Sequence, residues 1–201
     1  EGEEHPPLKK QLIELRTYTC ADADKKALLL DVLAKAAVPA WNRIGVKPVG
    51  ILTVNEEDNA GEKSIDLSVV TNQVFVVLPY SSGITALNAN RMLMADEEFV
   101  KAAAPLWDAP IKDPVYLRYE SALMNSFDKC PKLEVPTLAA DRVLQLRIYE
   151  SHNEEKALKK IHMFNEGGEI GIFRESGMNP VFFGERLFGT LMPDLTYMLS
   201  F

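Results

Sequence analysis

The chain has no apolar run approaching the roughly 18 residues that a membrane-spanning helix requires, so nothing in it reads as a helical membrane span. Basic residues are in deficit, 22 Lys and Arg against 29 Asp and Glu, for a net charge of −7. Binding to nucleic acid or an anionic membrane surface is driven by basic patches, and this balance argues against both as main partners. Histidine is scarce: His5, His152 and His162. The last two are too far apart in phase to share a helical face as ligands, and no carboxylate cluster accompanies them, so no metal site is read. Glycine-rich phosphate loops, dinucleotide fingerprints and the Gly-x-Ser-x-Gly elbow are absent, and no cofactor is implied. The only two cysteines, Cys20 and Cys130, are compatible with a disulfide or with two idle buried thiols.

What remains is an ordinary globular composition, 47% hydrophobic and 25% charged over 201 residues. One large domain or two small ones fit that length. The chain opens Glu1-Gly2-Glu3-Glu4-His5-Pro6-Pro7, acidic and without Met, and residues 1–11 read as a disordered tail. A mature end after export to a periplasmic or secreted location is the expectation, with a cytoplasmic protein cut there as the alternative.

The organising feature is a repeat. Leu15, Arg16 and Tyr18 return as Leu146, Arg147 and Tyr149; Lys26-Ala27-Leu28 as Lys156-Ala157-Leu158; Gly45, Pro48 and Val49 as Gly177, Pro180 and Val181. The matches keep their order with an offset that drifts by one residue, the mark of duplication with small insertions. In the first copy a strand at 12–18 precedes a helix capped by Asp22 or Asp24, whose apolar face carries Leu29, Leu33, Ala36, Ala37, Ala40 and Ile44. Pro39 predicts a kink or break, and Gly45 the helix end. Strands follow at 48–54 and 74–78, with weak alternation at 65–70 and a polar loop at 55–63. Ser81-Ser82-Gly83 opens a helical region to about 104, and a strand covers 115–124. Strand, helix, strand, strand, helix, strand is a ferredoxin-like unit. This gives an α+β protein with a first domain over 12–126, a linker over 127–142 and a second domain over 143–201. In the second, a strand at 143–149, an Asn153-capped helix, and strands at 181–187 and 195–201 appear, but the last helix and strand do not. The 143–149 strand would then keep an open edge, which predicts either a dimer through this region or a longer parent protein.

Glu14-Leu15-Arg16-Thr17-Tyr18, Val38-Pro39-Ala40 and Gly45, with Val181-Phe182-Phe183-Gly184-Glu185-Arg186 and Pro193–Phe201, resemble the NIPSNAP family. The resemblance covers nearly all of both units, apart from the 55–72 insertion and the absent end. It implies the dimeric α+β barrel superfamily, with two ferredoxin-like units paired around a shared interior and a homo-oligomer as the expected assembly. It brings no catalytic residue set.

In such a barrel, Leu15, Thr17, Leu144, Leu146 and Ile148 suit the helix-facing side of the strands. Glu14, Arg16 and Tyr18, with Gln145, Arg147 and Tyr149, would face the interior. A buried Arg needs a partner. Arg16 has Glu14 or Glu120, and Arg147 has Glu185, as structural ion pairs. The alternative is a polar-lined pocket for a small anionic or phenolic ligand, with Arg as anchor and Tyr as donor. His162 reads as a half-buried helix histidine, with proton transfer or haem ligation as the sharper reading. Trp41 and Phe173 occupy equivalent places and read as core. Two functions stay open: binding of a small, partly apolar molecule in the barrel interior, extending to cofactor-independent catalysis, or a non-enzymatic interaction module with a packed core.

Overall fold

The computed structural model describes residues 9–201. The tail expected over 1–11 therefore lies outside the described residues as far as position 8, and His5 with it. Gln11 is tied down, its backbone N–H donating to the Pro131 carbonyl at 2.8 Å.

The chain runs β1 (Leu12–Thr19), α1 (Ala23–Val32), a π-helical turn (Leu33–Ala37), α2 (Val38–Arg43), β2 (Gly50–Leu52), α3 (Glu56–Asn59), α4 (Leu67–Val70) and β3 (Gln73–Tyr80). It continues with α5 (Gly83–Met94), α6 (Glu97–Ala102), α7 (Ala104–Trp107), β4 (Arg118–Ser126), β5 (Leu144–Glu150), α8 (Glu154–Asn165), α9 (Glu169–Glu175), β6 (Asn179–Phe188) and β7 (Asp194–Ser200). Both repeats thus begin strand, helix, strand. The caps are the expected ones: Asp22 accepts from Lys25 N at 2.8 Å and Asn153 from Lys156 N at 3.0 Å.

Two compact units are present. One holds Glu14–Leu78 and Ile84–Ser121; the other holds Pro79–Gly83, Ala122–Phe201 and the chain up to Ile13. In the Arg16 unit the strand order is β2-β3-β1-β4, the order of a ferredoxin-like sheet. In the Arg147 unit it is β4-β6-β7-β5, and β5 ends the order with β7 as its neighbour. The class is α+β with antiparallel pairing throughout the recorded registers.

Pro39 does not break its helix. The π-turn just before it widens the backbone, with Val38 N reaching back to the Leu33 carbonyl, and the helix continues to Arg43. The second repeat does break at the matching place. Gly168 adopts a left-handed φ of +85° between α8 and α9, and a Cβ on Gly167 would stand 2.5 Å from the Met163 carbonyl oxygen. Other boundaries differ. The second strand is only Gly50–Leu52, the 55–63 loop contains α3 under an Asn55 cap, and 67–70 is a helical turn capped by Asp66 rather than a strand. Local Asx caps outweigh weak alternation there. Both cysteines are buried free thiols, and burial pushes Cys130 up to about 12. Cys130 and Phe127, from the expected linker, are core residues of the Arg147 unit.

Candidate functional site

The first strand is buried on both faces. Ile13 and Leu15 are 0% and 5% exposed, and Glu14 and Arg16 match them at 5% and 4%. Arg16 and Tyr18 share a cavity with Leu29, Leu33, Ala37 and Trp41 of the first helix, so this polar edge of β1 faces the helices. That reverses the expected orientation, which put it in a barrel interior. The reason is visible in the packing. The Arg16 guanidinium carbon lies 5.4 Å from the Trp41 ring centre and 5.5 Å from that of Tyr119, so aromatic faces supply what water would have supplied. Its charge is met two residues back on the same face: Nε donates to Glu14 Oε1 at 2.6 Å and Nη2 to Oε2 at 3.0 Å. Of the two carboxylates expected as partner, Glu14 is the one used. Ser121 Oγ adds a 2.7 Å hydrogen bond to Glu14 Oε1 from β4. Burial works against the Arg16 charge, but the adjacent carboxylate outweighs it and holds the guanidinium above its ordinary value.

The cavity encloses about 150 Å³. Tyr18 stacks on Tyr119 at 5.1 Å and meets Tyr116 edge-on at 5.2 Å. Leu93, Phe99 and Leu106 contribute apolar wall, while Met94 and Trp107, 51% and 43% exposed, bring solvent to one side. Both tryptophans of the chain line it. Burial pushes the Tyr18 hydroxyl up to about 12 and raises Tyr119 as well, so both keep their protons at neutral pH; Tyr119 donates to Glu14 Oε1 at 3.5 Å. Trp41 is 1% exposed, and its indole N–H has no hydrogen-bond partner among the described residues. Leaving a buried donor unmatched costs about 1–3 kcal/mol.

The second repeat places the same triple differently. Arg147 and Tyr149 also turn toward helices, not away from them. Tyr149 packs edge-on against Phe164 of α8, and Lys160 Nζ lies 5.0 Å over its ring. Leu144, Leu146 and Ile148 consequently occupy the opposite face, with Ile148 38% exposed. Arg147 donates to Gln145 Oε1 from Nε at 3.0 Å and from Nη2 at 2.6 Å, and to the Tyr197 hydroxyl at 3.1 Å. Its partners are these, not the expected Glu185. Phe164, Phe173, Phe183 and Tyr197 fill the space beside it, Phe183 and Tyr197 stacked at 4.7 Å. His162 is exposed and pairs with Glu166 at 3.1 Å, one turn on.

A polar cluster that sequence reasoning missed lies in the Arg147 unit. Arg186 donates from Nε to Asp194 Oδ2 and from Nη2 to Thr196 Oγ1 at 3.2 Å, while Thr196 Oγ1 donates to Asp194 Oδ1 at 2.8 Å. All three are buried. The signal was a charged residue at each flank of a hairpin, Arg186 and Asp194, which the alternation of β6 and β7 puts on one face. Among the described residues no group of three or more His, Cys, Asp or Glu is gathered as for a metal, and no helix is long and apolar enough to cross a membrane.

No family model matches this chain, and no curated protein does. Solved structures do. A candidate monooxygenase from Lactobacillus acidophilus NCFM superposes with a TM-score of 0.55 at 9% identity, covering 96% of this chain and 77% of its own. At that identity the likeness establishes the shared fold. A NIPSNAP family protein of unknown function from Agrobacterium tumefaciens str. C58 matches at 18% identity over 58% of this chain and 87% of its own, with a TM-score of 0.40.

Proposed function

We propose that this chain is a NIPSNAP-like member of the α+β barrel fold that binds a small, largely apolar molecule in the Arg16 unit. The site is the helix-covered side of the first sheet, not a barrel interior. The observation that carries the proposal is the cavity of about 150 Å³ walled by Trp41, Trp107 and three tyrosines. Apolar walls with a few converging polar groups are the ordinary composition of a ligand site. A cavity of this size has room for one aromatic ring. Tyr18 and Tyr119 supply protons to hydrogen-bond with, and Glu14 is held by Arg16 and Ser121, so the residues favour binding over acid–base turnover.

Because both tryptophans line the cavity, their emission reports its occupancy. Titration with one-ring compounds should change that emission saturably in the parent chain and leave Ala37→Phe, which fills the cavity, unresponsive. An unsaturable response of equal size in both would overturn the proposal.

A second reading, an interaction module, draws on the β6–β7 turn. Phe188, Leu191 and Met192 are 67%, 47% and 51% exposed there, and Leu191 holds a left-handed φ of 67°. Non-glycine residues in that region carry strain, and strain gathers at functional turns. Association of copies belongs with this reading. Sedimentation of the parent chain against Leu191→Asp tests it, and identical monomeric profiles refuse it.

A further inference from the structure

We infer that the second repeat carries a site for a small oxyanion, a carboxylate or a phosphate, held by the Arg147 guanidinium and the Tyr149 hydroxyl with Lys160 beside them. The site lies in the Arg147 unit and is independent of the cavity reading above. It starts from one exchange between the repeats. Arg16 closes on the carboxylate of Glu14; Arg147 closes on the amide of Gln145, through the same Nε and Nη2. The geometry is kept and the negative charge is gone. Among the described residues Arg147 forms no ion pair, and its other partner is the Tyr197 hydroxyl, 3.1 Å from Nη1. Burial works against its charge, and the hydroxyls of Tyr197 and Tyr149 outweigh that. A guanidinium has five N–H donors. Two go to Gln145 and one to Tyr197, so two remain. Arg147 is half-buried and Gln145 exposed, on the strand that ends the sheet order, so an anion can approach from solvent.

The hydroxyl relay asks for the same ligand. Tyr197, 0% exposed, accepts from Arg147 and donates to the Tyr149 hydroxyl at 3.0 Å, which leaves the Tyr149 O–H to donate to a further acceptor. A second cation stands over that tyrosine. Lys160 Nζ lies 5.0 Å from the ring centre, and it too forms no ion pair among the described residues. Glu185, which alternation puts on the same sheet face as Phe183, is separated from β5 by β7 and pairs with neither cation. Two cations without a carboxylate, flanking a hydroxyl with a proton to give, favour a charged acceptor, because hydrogen bonds between ionised partners are the strong ones. Phe164, Phe183 and Tyr197 pack together on the core side, so the site takes a charged head group and not a ring.

Sodium acetate and inorganic phosphate are titrated into the full chain in a chloride medium of constant ionic strength. The readout is the Arg147 Nε–H signal in nitrogen–proton spectra, identified by its loss in Arg147→Lys. Acetate, phosphate or both should move it saturably and raise the melting temperature, since a ligand of the folded state stabilises that state. The tighter of the two names the head group. Gln145→Glu, which copies the first repeat, should weaken binding at least about tenfold, a difference of about 1.4 kcal/mol. Lys160→Met should weaken it about threefold. Lys159→Met, exposed on the same helix, should leave it unchanged. A shift that never saturates, or equal affinity in the parent chain and Gln145→Glu, would mean an adventitious ion only and overturn the site. Lys160→Met weakening binding no more than Lys159→Met would overturn it as well, since no second cation would then belong to it.

Discussion

Replacing Arg16 with Met keeps the length of the side chain and removes its charge. Glu14, 5% exposed, would then be a buried carboxylate that has lost its guanidinium, with the Ser121 hydroxyl still donating to it. Removing one partner of a buried pair costs about 3–5 kcal/mol. The two aromatic contacts at 5.4 and 5.5 Å are lost as well, each worth roughly 0.5–1 kcal/mol. The sum, about 4–7 kcal/mol, corresponds to a fall in melting temperature of at least about 8 °C for a chain of this length. The double variant Glu14→Gln with Arg16→Met removes the stranded charge and should recover about 2 kcal/mol or more of the loss, a coupling read from a double-mutant cycle in urea. The pH dependence gives a third reading. In Arg16→Met, burial raises the folded-state pKa of Glu14 above its unfolded value of about 4.3. The penalty is then full above the raised pKa and shrinks as pH falls toward the unfolded one. The gap between parent and variant should narrow in mild acid. A single variant as stable as the parent, or a double variant no better than the single, would refute the pairing.

Three further outcomes follow from the same geometry. Tyr18 is held near 12 against an unfolded value of about 10, so its stabilising contribution is complete below pH 10 and disappears as pH rises to about 12; two units correspond to about 2–3 kcal/mol, and Tyr18→Phe should flatten that part of the alkaline unfolding profile. Gly167→Ala puts a Cβ against the Met163 backbone at 2.5 Å and should cost about 2 kcal/mol in urea denaturation, whereas an unchanged midpoint would mean the α8 end yields freely. Asp194→Asn strands the buried Arg186 and should cost about 3 kcal/mol, with Arg186→Met added to it restoring most of the loss.

Much of this fold was legible because its signals were local. Asp22 and Asn153 announced their helices, Gly45 and Gly177 ended theirs with φ of +82° and +78°, and the repeated Leu-Arg-x-Tyr strands fixed the duplication. At 67–70 the weak alternation hid a helical turn, because its signal is local: Asp66 Oδ1 accepts from Ser68 N and Ser68 Oγ. The larger error concerned which way Arg16 and Arg147 point. Alternation sorts residues by polarity, and a polar row is assigned away from the apolar helix face. That rule fails when the polar group brings its own neutraliser. Glu14 sits two residues before Arg16 on the same face and neutralises it, so helices can cover the pair; Gln145, in the same place, only hydrogen-bonds Arg147, which stays half-buried.

The two copies of the strand show what decides between a site and a core. Each begins with an arginine closed on the residue two places back, and each has a tyrosine two places on. Beyond that they part. Around Arg16 the helix runs on through its π-turn to Trp41, a single large ring whose N–H is left unmatched, and about 150 Å³ stays open. Around Arg147 the helix stops at Gly167-Gly168 and restarts, bringing Phe164 and Phe173 together with Phe183 and Tyr197. Four rings pack together there, and Tyr197 accepts a hydrogen bond from Arg147. The polar triple alone therefore does not leave a cavity. The helix that follows it does, by continuing through a proline or breaking at a glycine pair, and it is in that helix, not in the strand motif, that the two repeats differ in this respect.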